Sequence, residues 1–203
     1  MANTTGKKIK DAAIIGGCAS LIYLTIGDIS YRLSLSRGGL NSKLITDMVA
    51  KSAAKKPKDE YKEKLDSMID DGADWFMHQD TEKIIIEKKH RLSLYADLIR
   101  PDKPSNVYII CIHGYTSSPA NMGIYAKKYH ELGYNVLLPS LRGHGDSEQD
   151  FITMGWNDRL DVIEWINYIA ERHPESKIIL HGVSMGAATT MMATGEKLPE
   201  NVK

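Results

Sequence analysis

The sequence predicts an α/β fold whose mostly parallel sheet has an antiparallel start and is covered by helices on both faces. Two neighbouring runs, residues 83–88 and 92–98, are typical of strands and lie close enough to form an antiparallel hairpin. From residue 107 onwards, strand-like apolar runs alternate with helix-like segments, as they do in repeated β-α units. A chain of 203 residues is long enough to bury one sizeable core.

Three later segments are predicted as the strands that follow the hairpin. Residues 107–112 are continuously apolar, which is typical of a parallel strand buried on both faces. Shorter apolar runs at residues 135–138 and 177–180 indicate two more strands.

Helices are predicted between these strands and upstream of them. Residues 119–132 are ended by Gly133, residues 156–172 have Pro174 beyond their end, and a further helix starts at Met185 and runs to about residue 197. Upstream, residues 41–54 and 59–71 suit two helices, the second of which we expect to end near Gly72.

The N-terminal segment carries a possible location signal. Lys7, Lys8 and Lys10 precede sixteen uncharged residues, 12–27. As a helix they would span about 24 Å, slightly less than the ~30 Å hydrocarbon core of a bilayer. A signal-anchor helix is the preferred interpretation; a cleaved signal peptide and a buried helix stay open. An anchor with these lysines would place the following domain outside the cytoplasm, and a cytoplasmic location also stays open.

These patterns divide the chain into three predicted regions. Residues 1–30 form a membrane anchor or signal segment, residues 31–80 a helical connecting region, and residues 81–203 the α/β core. The formal net charge is zero, so nothing indicates the concentrated basic face that a nucleic-acid partner normally needs.

The strongest chemical motif is Gly182-Val183-Ser184-Met185-Gly186, which has the pattern Gly-x-Ser-x-Gly. A predicted strand ends just before it and a predicted helix begins just after it, which is the context of a catalytic serine on a sharp turn. Gly182 and Gly186 leave space where a Cβ would collide with backbone. The N–H groups at the start of the helix favour negative charge that develops near Ser184.

On this motif and its flanks the chain resembles bacterial α/β-hydrolases of the serine esterase, lipase and aminopeptidase superfamily. The resemblance covers about residues 81–203. In that fold the N–H of the residue after the nucleophile, here Met185, is one donor of the oxyanion hole. The motif His113-Gly114-Tyr115 follows the central strand, and the resemblance implies that the N–H of Tyr115 is the second donor. His113 itself is expected to be structural.

A third motif comes between these two. Arg142-Gly143-His144-Gly145-Asp146-Ser147 is similar to the Gly-His-Gly-x-Ser loop of many such hydrolases. The resemblance implies that Gly143, His144, Gly145 and Ser147 shape and support the site without belonging to the catalytic triad.

Other chemistries do not fit the sequence. No complete dinucleotide loop or Gly-Lys-Ser/Thr phosphate loop is present, and Tyr134 replaces the second histidine of a zinc-protease pattern that starts at His130. The resemblance implies no metal and no organic cofactor. It implies a small-molecule ester or amide substrate, with the N-terminal segment as the contact with a membrane.

The triad itself is incomplete in this sequence. The family orders it as serine, then acid, then histidine, but the nineteen residues after Ser184 contain no histidine. We therefore expect a C-terminally incomplete fold, and a chain that is inactive as it stands because Ser184 lacks a base. Two alternatives stay open: a non-catalytic, membrane-anchored binding protein, and an acyltransferase on the same fold.

Overall fold

The computed structural model describes residues 2–36, 59–88 and 92–203. The helices are α1 (Ala2–Leu35), α2 (Glu60–Met77), α3 (Gly123–Glu131), α4 (Asp158–Arg172) and α5 (Met185–Thr194), and a 3-10 turn at Pro119–Met122 precedes α3. The strands are β1 (Glu82–Lys88), β2 (Leu92–Ile99), β3 (Val107–Ile112), β4 (Asn135–Ser140) and β5 (Lys177–Gly182).

The described strands form one mixed sheet in the order β1-β2-β4-β3-β5. The hairpin β1–β2 is antiparallel, as is the pairing of β2 with β4. Strand β3 is parallel to both β4 and β5. The predicted antiparallel start and parallel continuation are therefore confirmed, and the parallel strands bring the chain segments that follow β3, β4 and β5 to one edge of the sheet.

Helices pack on both faces of this sheet, as predicted. On one face α4 contributes the buried side chains Val162, Trp165 and Ile166 to the larger hydrophobic cluster. On the opposite face Phe76 from α2 and Ala126 from α3 belong to the second cluster. The central strand β3 supplies side chains to both clusters, and its residues from Tyr108 to Ile112 are at most 3% exposed. This burial explains its continuous apolar sequence.

Helix α2 does not end near Gly72 as predicted, but continues to Met77. Gly72 is instead a site of close helix contact: a Cβ on it would lie 2.3 Å from the backbone N of Ile124, and a Cβ on Gly123 would lie 2.0 Å from the carbonyl O of Gly72. Helices α2 and α3 thus meet backbone to backbone, and this packing outweighs the weak helix preference of glycine.

The other helix boundaries differ by a few residues from the predictions. Helix α4 starts at Asp158, two residues after Trp156, because residues 154–157 form turns. The predicted helix over residues 119–132 is divided into the 3-10 turn and α3, while α5 ends at Thr194, before Gly195. The helix predicted over residues 41–54 lies outside the described residues.

Helix α1 covers the N-terminal segment for which a membrane anchor was predicted. Among the described residues, no helix combines the length and the apolar character that crossing a membrane requires, so the predicted transmembrane helix is not supported. The sixteen uncharged residues include three glycines, a serine and a threonine, which lower their mean hydropathy. Nor is the segment a buried helix over its described side chains, since Leu21 and Leu24 are 67% and 66% exposed.

The contact between α2 and α3 predicts a large effect for one added methyl group. In Gly72→Ala, the new Cβ would overlap the backbone of α3, and overpacking of this kind typically costs about 1–3 kcal/mol of folding free energy. Urea unfolding monitored by circular dichroism should therefore show a lower midpoint than the parent protein. Gly27→Ala is the matched control, because nothing lies within 4 Å of its new Cβ in α1, and it should not lower the midpoint. A Gly72→Ala midpoint equal to that of the parent would contradict the close contact.

Candidate functional site

Ser184 lies on a sharp turn between β5 and α5. Its backbone has φ 55° and ψ −117°, a conformation that residues other than glycine rarely adopt. Such strain persists only where the surroundings hold it in place, and it is concentrated at functional sites. The residue is exposed, whereas the next residue, Met185, is buried. The turn therefore presents the serine side chain to solvent at the N-terminus of a helix.

The flanking glycines make this turn sterically possible. A Cβ on Gly182 would lie 2.2 Å from the carbonyl O of Gly186. A Cβ on Gly186 would lie 2.1 Å from the carbonyl O of Ile112, at the end of β3. Both positions exclude any side chain, because backbone atoms cannot move away as a flexible side chain could. The start of α5 consequently packs directly onto the end of the central strand.

The loop after β3 lies beside Ser184, as the second motif predicts. A Cβ on Gly114 would lie 3.3 Å from Ser184 Cβ and 3.8 Å from Ser184 Oγ. The backbone N–H of Val183 also donates to the carbonyl of Ile112 at 3.1 Å, which joins the turn to the end of β3. Tyr115 follows Gly114 directly and is half-buried. The structure thus places the two predicted backbone elements of the site next to each other.

His113 is fully buried, and both of its ring nitrogens are engaged. Nδ1 lies 2.8 Å from the carbonyl O of Gly114, and Nε2 accepts a hydrogen bond from the N–H of Leu141 at 3.1 Å. This pairing requires the proton on Nδ1. Burial lowers the pKa of His113 to about 4, with a smaller lowering from nearby His144. The ring therefore joins the ends of β3 and β4 as a neutral structural group.

His144 links the loop after β4 to the loop after β3. Its Nε2 accepts from the N–H of Thr116 at 3.2 Å, while Nδ1 lies 3.1 Å from the carbonyl O of Arg142. Its ring also makes an edge contact with His113, with 4.9 Å between ring centroids. The His144 ring therefore connects the two loops through backbone groups on both sides.

The remaining residues of the third motif shape this loop. Gly143 and Gly145 adopt φ values of +73° and +50°, where a side chain would be strained. Ser147 is fully buried, and its hydroxyl donates to the carbonyl of Ser140 at 2.6 Å and accepts from the N–H of Tyr95 at 3.2 Å. The loop is therefore held against β2 and β4, and it keeps His144 directed at the β3 loop.

A buried ion pair anchors the same loop to α4. Arg142 Nε and Nη2 each lie 2.7 Å from a carboxylate oxygen of Asp161, in a bidentate pair. Removing one partner of such a pair leaves a buried charge without compensation, which is strongly destabilising. The sequence analysis missed Asp161. The sequence indicates that this residue lies near the start of a helix, but it does not indicate which cation the carboxylate contacts.

The sequence also missed the contribution of α1. The hydroxyl of Tyr115 donates to the carbonyl of Ser34, and the N–H of Ile152 donates to the carbonyl of Leu35 at 2.7 Å. Thr116, with φ +56°, is a second strained residue beside the site. No local motif indicates these features, because the partners lie 81 residues apart for Tyr115 and Ser34.

This arrangement can stabilise an anion next to an exposed hydroxyl. The first turn of α5 carries N–H groups without intrahelical partners, and its dipole favours negative charge. Cys111, the nucleophilic side chain on β3, is buried, and burial raises the pKa of its thiol to about 12. Cys111 is therefore an inert core residue, whereas the hydroxyl-bearing Ser184 is exposed at this edge of the sheet.

Comparison with known proteins agrees with the fold and the motifs. Residues 103–203 match a family described as "Serine aminopeptidase, S33". A thermostable monoacylglycerol lipase of a Bacillus species is 31% identical over 90 residues, which are 42% of this chain and 34% of that protein. YqkD, an uncharacterized protein of Bacillus subtilis, is 29% identical over 121 residues, 59% of this chain and 39% of that protein.

A solved structure extends the likeness to three dimensions. An esterase of Pyrococcus furiosus superposes with a TM-score of 0.54 and 29% sequence identity, over 60% of this chain and 48% of the esterase. The chain thus spans between about a third and a half of the length of these relatives. The mixed sheet and these comparisons together show that the chain has the α/β-hydrolase fold.

Proposed function

We propose that the protein is a serine hydrolase that acts on carboxylic esters through Ser184. One observation carries the proposal: the exposed Ser184, held at positive φ, lies directly beside Gly114 of the loop after β3. A hydrolase needs its nucleophile and its oxyanion donors within a few ångströms of one carbonyl group. The contact between Gly114 and Ser184 brings the loop after β3 and the turn after β5 within that distance.

The proposed reaction follows from these positions. Ser184 Oγ attacks the carbonyl carbon of the substrate, and the carbonyl oxygen becomes negatively charged as the tetrahedral intermediate forms. The backbone N–H groups of Met185 and Tyr115 donate to that oxygen. Collapse of the intermediate breaks the ester bond, releases the alcohol with a proton, and leaves an acyl group on Ser184. Water then attacks the acyl group, giving the acid and free Ser184.

Esters are the favoured substrate class because of what the relatives are. Of the three similar proteins, the two whose descriptions name an activity are an esterase and a lipase, and both act on esters. The matched family is described as an aminopeptidase family, which makes amides the second substrate class. The geometry around Ser184 suits acyl transfer from either bond, so the choice of ester rests on these relatives.

The general base must come from a histidine other than His113 and His144. Both ring nitrogens of each are occupied by backbone groups, and His113 stays neutral in its buried position. In the superfamily the acid and the histidine come after the nucleophile in the chain. We propose that the active enzyme carries them in that order, on loops at the edge of the sheet where Ser184 lies.

Replacing the nucleophile gives the direct test. In the full-length protein, Ser184→Ala should lower kcat for p-nitrophenyl butyrate by at least about 10³-fold, because no acyl-enzyme can form. A fluorophosphonate probe should label the parent protein on Ser184, through displacement of fluoride by Oγ, and should not label the variant. Intact-mass measurement reads the labelling directly.

Ser67→Ala is the matched control, since Ser67 is an exposed serine on α2, a helix that supplies no residue of the three motifs. It should leave both kcat and labelling unchanged. A Ser184→Ala variant that keeps more than a tenth of the parent activity would refute the proposed nucleophile. A parent protein that neither hydrolyses the ester nor reacts with the probe would favour a non-catalytic binding protein.

The neutral state of His113 predicts a pH dependence of stability. Its folded-state pKa of about 4 lies below the ordinary value of 6.5, so the unfolded chain binds the proton more readily. The stabilisation is thus complete above pH 6.5 and is lost as the pH falls towards 4, with a total on the order of 3 kcal/mol. Urea midpoints should fall over this window, and His113→Gln should have a smaller slope there. An NMR titration of the His113 ring with a midpoint near 6.5 would contradict this assignment.

A further inference from the structure

The C-terminal end of α1 contacts both the loop after β3, which lies beside Ser184, and the segment after β4. The hydroxyl of Tyr115 donates to the carbonyl of Ser34, and the N–H of Ile152 donates to the carbonyl of Leu35 at 2.7 Å. Ser36 pairs with Phe151 in an antiparallel bridge, and the rings of Tyr31 and Phe151 lie 5.4 Å apart. A side-chain hydrogen bond, a β-bridge that includes the bond between Ile152 and Leu35, and a ring contact therefore join the end of α1 to these two segments.

Donors from these two segments bind carbonyl groups at the end of α1 that have no hydrogen-bond donor within the helix. The last four carbonyls of an α-helix lack intrahelical partners and need donors from elsewhere. Here the carbonyls of Ser34 and Leu35 obtain them from Tyr115 and Ile152. Partial burial raises the pKa of Tyr115, so its hydroxyl keeps the proton that it donates. The end of α1 is thereby completed by residues of the hydrolase core.

The loop after β3 depends on such contacts for its shape. Thr116 is held at φ +56°, and a residue in this region keeps its conformation only where neighbours enforce it. The N–H of Thr116 donates to His144, and the N–H of Ser117 donates to the carbonyl of Gly114 at 3.2 Å. The hydroxyl of Tyr115 adds a third hydrogen bond, and this one is made to α1, outside the α/β core.

The same turn of α1 also supports the second loop. Ile152 is 6% exposed, and a Cβ on Gly143 would lie 3.2 Å from its Cγ1, so the segment that meets α1 packs under the loop that carries His144. His144 in turn accepts from Thr116. Movement of the end of α1 would therefore reach the Tyr115 backbone by two routes, directly through its side chain and indirectly through His144.

We propose that the last turn of α1, residues 31–36, positions the oxyanion donor of Tyr115, and that the hydroxyl of Tyr115 is the positioning group. The inference rests on the proposed function, since an oxyanion donor matters only in an acyl-transfer site. The hydroxyl does not touch the substrate. It fixes the backbone N–H of its own residue by holding the loop against the C-terminal end of α1.

The test uses Tyr115→Phe in the full-length protein, which removes the hydroxyl and retains the ring. The donor of the oxyanion hole acts in the transition state, so its displacement should lower kcat and leave KM nearly unchanged. The loss of one positioning hydrogen bond should reduce kcat for p-nitrophenyl butyrate roughly threefold to tenfold. The rate of fluorophosphonate labelling of Ser184 should fall by a similar factor. Amide hydrogen exchange at Ile152 should become faster, because its acceptor on α1 is released.

Tyr23→Phe is the matched control, because Tyr23 lies on the same helix and is 78% exposed. It should change neither kcat, labelling rate nor exchange at Ile152. Tyr31→Leu is a second variant that removes the ring contact with Phe151 and spares the core. It should lower kcat in the same way. If Tyr115→Phe does not fold, the kcat of Tyr31→Leu tests the positioning role of α1.

The outcomes separate this inference from the proposed function. A parent protein that is neither labelled nor active overturns both. A labelled, active parent whose Tyr115→Phe and Tyr31→Leu variants match it in kcat overturns only the positioning role of α1. A loss that appears in KM while kcat is retained also overturns it, because it would place Tyr115 in substrate binding instead.

Discussion

The site depends on the direct packing of backbone against backbone where α5 meets β3. No Cβ fits on Gly182 or Gly186, and the carbonyl of Ile112 lies where a side chain on Gly186 would be. This close approach forces the chain to turn within two residues after β5, and the strained φ of Ser184 follows from it. The candidate site therefore follows from the geometry of the sheet, because adjacent parallel strands end at the same edge and bring their loops together.

Around this turn, the two histidines act as structural groups that join strand ends. His113 bonds the segments after β3 and β4 while buried and neutral, and His144 bonds the loop after β4 to Thr116. Both have one ring nitrogen that accepts from a backbone N–H and another that lies within hydrogen-bond distance of a backbone carbonyl. The bidentate pair of Arg142 with Asp161 then fixes the loop to α4. A rigid support of this kind keeps the strained turn at Ser184 in a single conformation.

The two described helices before residue 81 both differ from what the sequence predicted for them. The apolar run of α1 predicted a membrane anchor, but no described helix is both long enough and apolar enough to cross a membrane. The end of α1 contacts Tyr115 and Ile152. The contacts are made by the carbonyls of Ser34 and Leu35, beyond that run, and no local pattern indicates them because their partners are distant in the chain. Helix α2 shows a similar limit. Gly72 is a helix-ending signal in isolation, but here it allows α3 to approach closely.

The sequence by itself determined the succession of strands and helices along the chain and the hairpin of β1 and β2. It also determined the three loops that carry Ser184, His113 and His144. Each is encoded locally, by apolar runs of strand length or by glycines at fixed spacing beside a reactive residue. Only the tertiary structure decided which distant groups meet: Arg142 with Asp161, Gly72 with Gly123, and Tyr115 with Ser34. Contacts of this kind depend on the relative placement of whole helices, and no local pattern of residue types contains that information.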